Sequence, residues 1–262
     1  MGFFIATLSL SNASPTVLTS GNSTVTIDPA TQAGMYNWVV DNQSQLNQQW
    51  FWYRIGSSGP EASIDTISAP TLSLLSPGVL STTYANSQLQ VSILYSLVGG
   101  STGSGVSDIS EQISIRNISG GSLGFHFFQY ADFDLGTSAN NDSATADRAG
   151  RGYNSIVQSD GFCRVSENVD TVVSQNANEA QVATDNSLLA SLNNMTPTLL
   201  NDCSSAHGNV KWALEWDKTI TAGGTLIISK DMNIEGVVPE PSTLCLVGAA
   251  LLTFAFRRFQ RV

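Results

Sequence analysis

The chain has 262 residues, and 42% of them are hydrophobic, which suffices to bury a sizeable core and excludes a wholly disordered or collagen-like protein. Only 12% are charged, about half of the roughly 25% typical of soluble domains, and neutral polar residues and Gly fill the missing share. The formal net charge is −10, and three of the 11 basic residues lie in the last six positions. The remaining body is strongly acidic, which argues against nucleic acid as a partner.

The N-terminal residues have some features of an export signal. Phe3 to Leu10 form an apolar stretch, followed by Ser11-Asn12-Ala13, a pattern of small residues that suits a signal-peptidase site. No Lys or Arg precedes Arg54, so the basic start of a signal peptide is missing. We predict that residues 1–14 are the remnant of a signal peptide whose start codon was placed too late. A first β-strand is the alternative.

The body of the chain, residues 15–235, has the hydrophobic period of β-strands. Apolar side chains occupy alternate positions in four segments, 89–97, 109–115, 210–216 and 226–234. This alternation predicts antiparallel strands with one buried face. The last two segments are separated by Gly223-Gly224, which predicts a hairpin between them.

Two further segments, 50–55 and 125–133, are aromatic or apolar on both faces, as expected for strands in the middle of a covered sheet. Turns rich in Gly, Ser and Asn separate ten to twelve predicted strands, and the clearest helix candidate is Asn186 to Asn193. The fold class is therefore predicted to be all-β, an antiparallel two-sheet sandwich of jelly-roll type. It forms one domain over residues 15–235 and is followed by a short hydrophobic C-terminal helix.

Cys163 and Cys203 are the only cysteines of the body. An even pair in an exported domain predicts a disulfide, and closure of a loop of about 40 residues stabilises by roughly 3–4 kcal/mol through chain entropy. Two buried free thiols, or two thiols that never meet, are the alternatives.

The body contains no recognised motif for nucleophilic, zinc or nucleotide chemistry. His126 lies on an aromatic strand and is interpreted as a packed side chain, and His207 is interpreted as a surface residue of a loop. We therefore predict no catalytic residue and a protein that is not an enzyme.

Acidic residues cluster at the end of the segment 125–133 and just beyond it. Asp132 and Asp134 are two positions apart, about 6.5 Å between Cα atoms in a strand, and Asp142 follows in a segment rich in Asn and Asp. Several oxygen donors at a strand end are typical of calcium sites, so calcium is the one cofactor considered. A solvated acidic turn is the default alternative, and a pair of catalytic carboxylates is another.

The tryptophans bear on carbohydrate binding, because sugars stack on exposed aromatic rings. Trp212 and Trp216 alternate with apolar residues and are predicted to lie in the core. Trp50 and Trp52 share one side of their strand and are predicted to be the exposed pair.

The C-terminal tail, residues 237–262, has three parts with different chemistry. Val238-Pro239-Glu240-Pro241 stays extended because proline fits neither a helix interior nor a sheet ladder. Thirteen uncharged residues follow, which as a helix span about 20 Å, less than the roughly 30 Å hydrocarbon core of a bilayer. The terminal arginines resist translocation, so the body is predicted to lie outside. The predicted anchor residues are Leu244, Leu246, Val247, Leu251, Leu252, Phe254, Phe256, Arg257, Arg258 and Arg261.

These three parts, in this order, resemble the PEP-CTERM sorting tail of bacterial exported proteins. The resemblance implies that an exosortase in the inner membrane recognises the Pro-Glu-Pro box and removes the hydrophobic tail. It also implies a transient membrane anchor, followed by a location in the cell envelope or outside the cell. An ordinary tail anchor or a buried hydrophobic helix is the alternative.

Three functions are compatible with this sequence. We predict a non-catalytic protein of the envelope or extracellular matrix, associated with extracellular polysaccharide. The alternative is a calcium-assisted carbohydrate-binding module, which requires at least two exposed Trp or Tyr rings on one sheet. The third is a polysaccharide hydrolase or lyase, which requires two carboxylates, or a carboxylate and His126, in a groove.

Overall fold

The computed structural model describes residues 14–136, 140–169 and 175–236. They form two β-sheets that pack face to face around one hydrophobic core, which confirms the predicted all-β, antiparallel two-sheet sandwich. The predicted signal-peptide remnant, except for Ser14, and the predicted tail from residue 237 onward lie outside the described residues.

In chain order the strands are β1 (Thr16–Ser20), β2 (Ser23–Asp28), β3 (Gly34–Val40), β4 (Gln43–Ser44), β5 (Leu46–Ile55), β6 (Ala62–Ser63), β7 (Thr71–Ser76), β8 (Val79–Ala85), β9 (Leu89–Gly99), β10 (Val106–Asn117), β11 (Leu123–Phe133), β12 (Asp142–Ala149), β13 (Gly152–Ser159), β14 (Cys163–Val169), β15 (Glu179–Ala183), β16 (Ser205–Gly208), β17 (Lys211–Ile220) and β18 (Thr225–Gly236). A 3-10 turn spans Ile64–Thr66, and the helix α1 spans Ser187–Leu192, close to the predicted helix. The described strands outnumber the predicted ones in part because the two-residue strands β4 and β6 and the short polar strand β16 have no clear apolar alternation.

The first sheet has the order β1-β2-β3-β5-β11-β17-β15, with β4 beside β3 and β6 beside β5. The second sheet has the order β16-β12-β13-β14-β18-β10-β9-β8-β7. Neighbouring strands are antiparallel, apart from a short parallel contact of β3 with β5 at Gln49.

Burial along the strands follows the predicted periods. β9 alternates between buried and partly exposed positions, as a strand with one core face does. β5 and β11 are adjacent in the middle of the first sheet, and β11 is buried continuously from Phe127 to Phe133. Both faces of these two strands are therefore covered, as their apolar character predicts.

The predicted hairpin between 210–216 and 226–234 is wrong. β17 pairs with β11 and β15 in the first sheet, whereas β18 pairs with β10 and β14 in the second. The turn at Gly223-Gly224 thus carries the chain from one sheet to the other. A glycine turn reverses the chain locally, but the strand partners depend on which sheet buries each apolar face.

Gly34 supports the first sheet where β3 meets β5. Its φ is +59°, and a Cβ built there would lie 2.4 Å from Cε3 of Trp50 and 2.5 Å from the carbonyl oxygen of Gln49. We expect Gly34→Ala to lower the free energy of unfolding by about 2–5 kcal/mol, through left-handed strain and overpacking. Urea denaturation measures the loss.

Gly120→Ala is the matched control, because no heavy atom lies within 4 Å of its Cβ position. We expect this control to change the free energy of unfolding by less than about 0.5 kcal/mol. Equal denaturation midpoints for the two variants would contradict the close packing of Gly34 on Trp50.

Candidate functional site

The outer face of the first sheet points away from the second sheet. Several ionisable side chains lie close together on this face. Alternation along β5 and β11 directs Gln49 and Phe51 inward and Trp52, Arg54 and His126 outward. Glu215 on β17 lies on the same outer face beside His126.

Residues 185–202, the cover segment, lie over part of this outer face. Helix α1 within it packs on β15 and β17, with Leu188 and Leu192 buried. After the helix, Asn193 Oδ1 accepts a hydrogen bond of 3.3 Å from Nε1 of Trp52. The cover segment therefore buries an aromatic face that a bare sheet would expose.

Trp50 and Trp52, predicted to be exposed, are fully buried, so that prediction is wrong. Besides the contact of Trp52 with the cover segment, Nε1 of Trp50 donates to Ser63 Oγ at 2.8 Å. Sequence alternation placed the two rings on one face but could not reveal the chain that covers it. Trp212 and Trp216 are buried in the core, as predicted.

Arg54 and Glu61 form a buried ion pair beneath the cover segment. The Glu61 carboxylate also accepts the Thr198 N–H at 3.0 and 3.1 Å and the Thr198 hydroxyl at 2.7 Å. The Arg54 guanidinium lies 5.8 Å from the centre of the Phe128 ring. Because Thr198 belongs to the cover segment, this ion pair latches the segment to the sheet.

His126 and Glu215 form the second polar pair of the face. Nδ1 of His126 lies 2.8 Å from Oε1 of Glu215, and Oδ1 of Asp217 is 3.9 Å from the same nitrogen. Burial raises the pKa of Glu215, and its hydrogen bond with His126 opposes that rise. A carboxylate beside an imidazole can exchange protons with a ligand, but only 15% of the His126 side chain is exposed.

His126 was predicted to be a packed side chain, and its partner Glu215 could not be identified from the sequence. Asp217 and Glu215 lie on β17, far from His126 along the chain. His207 is exposed, as predicted, but lies in the edge strand β16, where Nδ1 is 2.9 Å from Ser143 Oγ.

The predicted calcium ligands have different partners. Asp132 accepts a hydrogen bond of 2.9 Å from Asn47 and lies 3.6 Å from Nζ of Lys211. Asp142 accepts hydrogen bonds from Gln158 and from the Leu135 N–H. Over residues 14–136, 140–169 and 175–236, no group of three or more His, Cys, Asp or Glu side chains could hold a metal ion. Calcium binding by Asp132, Asp134 and Asp142 therefore stays a prediction without a described ligand cage.

Burial raises the pKa of two carboxyl groups among the predicted calcium ligands, Asp134 and Asp142. It raises the pKa of Asp134, with a further rise from the charge of Asp132. It also raises the pKa of Asp142, against the hydrogen bond from Gln158.

Cys163 and Cys203 are free thiols, so the predicted disulfide is corrected. Cys163 begins β14 and is buried, whereas Cys203 is exposed just before β16. β12 and β13 lie between these strands, which separates them by roughly 14 Å, and a disulfide needs Cα atoms within about 7 Å. Burial raises the pKa of Cys163 to about 11.

The described chain ends at Gly236, at one pole of the sandwich. A cavity of about 290 Å³ opens there, with Asp41, Phe162 and Gly236 in its lining. The N–H groups of Gly103 and Gly105 donate to Asp41 and lower the pKa of its carboxyl group. Within the described ranges, no helix has the length and apolar character needed to cross a bilayer.

The tail matches a known family model. Residues 237–258 match the PEP-CTERM protein-sorting motif, which confirms the predicted sorting tail. A PEP-CTERM motif implies export through the membrane toward the cell surface and processing by an exosortase. No curated protein matches the sequence.

The β domain is similar in fold to solved structures of sugar enzymes. A bacterial glucoamylase complexed with acarbose has a TM-score of 0.60 and 8% identity over 91% of this chain, which spans only 34% of the glucoamylase. A putative aldose 1-epimerase from Escherichia coli K12 has a TM-score of 0.58 and 9% identity, over 85% of this chain and 99% of the epimerase. A galactose mutarotase-like protein from Lactobacillus casei has a TM-score of 0.55 and 9% identity, over 85% and 100%. At this identity the similarity shows the fold.

The latch generates a test. We expect Glu61→Gln to lower the free energy of unfolding by about 3–5 kcal/mol, because Arg54 would keep a buried charge without its partner. Limited proteolysis should also cut the cover segment faster, since the amide binds Thr198 less strongly than a carboxylate does. Urea denaturation and the rate of proteolysis measure the two effects.

Asp202→Asn is the matched control at the end of the cover segment. Its partner Arg148 and Asp202 itself are 47% and 45% exposed, so removal of this ion pair should cost less than about 1 kcal/mol. If the two variants were equally stable, the buried pair would not be the latch.

Proposed function

We propose that the β domain is a non-catalytic component of the cell envelope or extracellular matrix, delivered there by its sorting tail. The observation that carries the proposal is that the ion pair and the indole ring on the covered part of the outer face already have partners within the domain. Arg54 and Glu61 form an ion pair beneath Thr198, and the indole N–H of Trp52 donates its hydrogen bond to Asn193. These side chains serve the packing of the domain, which leaves them unavailable to a substrate.

The burial of the tryptophans supports a body that does not bind sugars by ring stacking. All five tryptophans of the chain lie within the described residues, and each is fully buried. Association with a hydrated polysaccharide would instead rely on the neutral polar side chains in which the chain is rich, through hydrogen bonds. We therefore propose association with extracellular polysaccharide rather than a carbohydrate-binding cleft.

A second candidate function is acid–base chemistry at the ring carbon of an aldose. The hydrogen bond between His126 and Glu215 favours it, since a carboxylate beside an imidazole can take up and release a proton. The fold similarity to an aldose 1-epimerase is consistent with it. The low exposure of His126 argues for the non-catalytic role.

Delivery is tested by changing the sorting box in a host that carries an exosortase. We expect Pro239→Ala together with Pro241→Ala to leave the protein at full length in the membrane, because the extended box would be lost. The wild-type chain should be found outside the inner membrane without its terminal arginines. Cell fractionation and mass spectrometry of the C-terminus measure both outcomes.

The control for delivery changes Ser242→Ala and Thr243→Ala, just beyond the box. This variant should be processed like the wild-type chain. Equal release of the wild-type and double-proline chains would refute the role of the box.

Polarimetry of freshly dissolved α-galactose and α-glucose decides between the two functions. We expect the purified chain, His126→Asn and Glu215→Gln to leave the rate of mutarotation at its buffer value. Acceleration by the wild-type chain that both variants abolish would replace the non-catalytic function with the second candidate.

A further inference from the structure

The interior of the sandwich contains a cluster of charged and amide side chains. Glu111 on β10, Glu167 on β14 and Lys230 on β18 point inward from the second sheet, and Gln49 on β5 and Gln129 on β11 meet them from the first. Each is at most 1% exposed. Charged side chains are rarely buried this deeply, and the outer-face site does not use them.

The strand register brings the Lys230 amine and the Glu111 carboxyl group together. Lys230 is directly opposite Glu111 in the pairing of β10 with β18. Its Nζ contacts Oε2 of Glu111 and lies 3.6 Å from Oε1 of Glu167. Side chains at directly opposite positions have Cβ atoms about 5 Å apart, which is within the span of a Lys and a Glu joined end to end.

The first sheet orients the two carboxyl groups. Nε2 of Gln129 donates to Oε2 of Glu167 at 2.6 Å, and Nε2 of Gln49 lies 3.4 Å from Oε2 of Glu111. The Phe51 ring, 5.5 Å from Nζ, closes the apolar side of the cluster. The lysine is therefore held against one carboxyl group, with a second within reach.

The low-dielectric surroundings make the buried charges of this cluster costly. One ammonium faces two carboxylates, so at least one negative charge lacks a partner in a low-dielectric interior. Burial raises the pKa of Glu111, although Lys230 lowers it in part. Burial, followed by the charge of Glu111, also raises the pKa of the neighbouring Tyr95. A neutral group in this position would avoid the cost of burying two charges.

We propose that Lys230 and Glu111 become joined by an amide bond between Nζ and Cδ, with Glu167 as the carboxylate that transfers the proton. Neither the sorting tail nor the similar folds assign such a cross-link, and it does not depend on the proposed function. It replaces a buried ion pair with a neutral group that has one donor and one acceptor.

The reaction is a condensation that releases one water. Transfer of a proton from the ammonium to Glu111 gives a neutral amine and a neutral acid. The amine lone pair attacks Cδ and forms the C–N bond, while Glu167 accepts the proton that Nζ loses. Glu167 then returns this proton to the departing hydroxyl of Glu111, and the C–O bond breaks with its electron pair. Glu167 ends as it began, and no oxidant or reductant takes part.

The position of the bond gives it a mechanical consequence. β18 ends at Gly236, directly before the sorting tail, so a pull on the C-terminus would peel this strand from its end. Lys230 lies near the middle of β18, with β10 on one side and β14 on the other. An amide bond to β10 would stop the peeling there.

The test is mass spectrometry of the full-length chain, expressed in a host without an exosortase. We expect the intact mass to be lower, by the mass of one water molecule, than the mass calculated for the unmodified chain. After denaturation and trypsin digestion, the peptide 55–116 should be joined to the peptide 219–257, which remains uncut at Lys230. An unchanged mass, or a loss of water without this joined peptide, would overturn the proposal.

Three variants separate the roles of the residues. Glu167→Gln keeps both reacting groups, and we expect joined peptide to accumulate more slowly by at least about 10²-fold, the effect of losing a proton-transfer group. Lys230→Met should have the full mass. Lys211→Met, which removes another buried lysine, should keep the loss of water. Equal accumulation in Glu167→Gln and the wild-type chain would contradict the role of Glu167.

Discussion

Apolar packing on both faces of β5 and β11 organises the layers of the domain. On the inner face, the Phe51 and Phe127 rings stack with centres 5.3 Å apart. On the outer face, Trp52 and Tyr130 meet edge to face at 6.3 Å. Water cannot be left on either face, so the second sheet covers one and the cover segment covers part of the other. Arg54 lies on the covered part of the outer face, and a buried charge needs a partner. It therefore forms its ion pair with Glu61 there.

The buried polar cluster belongs to the same interior and makes its packing specific. Apolar side chains alone would permit the two sheets to slide across each other, since hydrophobic contacts have no direction. Gln49 and Gln129 of the first sheet must instead meet Glu111 and Glu167 of the second. These contacts favour one facing of the sheets, because any other would take the amide hydrogen bonds away from the buried carboxyl groups.

The last strand of the β domain, β18, connects the domain to the sorting tail. The strand crosses the middle of the second sheet and ends at the pole where Asp41 and Phe162 line a cavity, and the sorting motif follows immediately. In sequence, the sorting motif therefore begins directly after a strand of the body. The β domain and the sorting tail are separate segments of the sequence. The fold of the β domain is similar to those of proteins with different activities, so the fold does not specify the function.

Features that depend on neighbours along the chain could be predicted from the sequence: the alternating strands such as β9, the strands β5 and β11 with two apolar faces, the helix near residue 186 and the sorting tail. The sequence analysis did not single out the buried charges, although Glu111 falls in step with Ile109 and Ile113, and Lys230 with Ile228 and Met232. Contacts between distant parts of the chain place β17 and β18 in different sheets, keep the cysteines apart and bury Trp50 and Trp52. They also determine the partners of Arg54 and His126. These features depend on contacts between residues distant in sequence, and the hydrophobic effect that drives them has no direction that a local pattern could record.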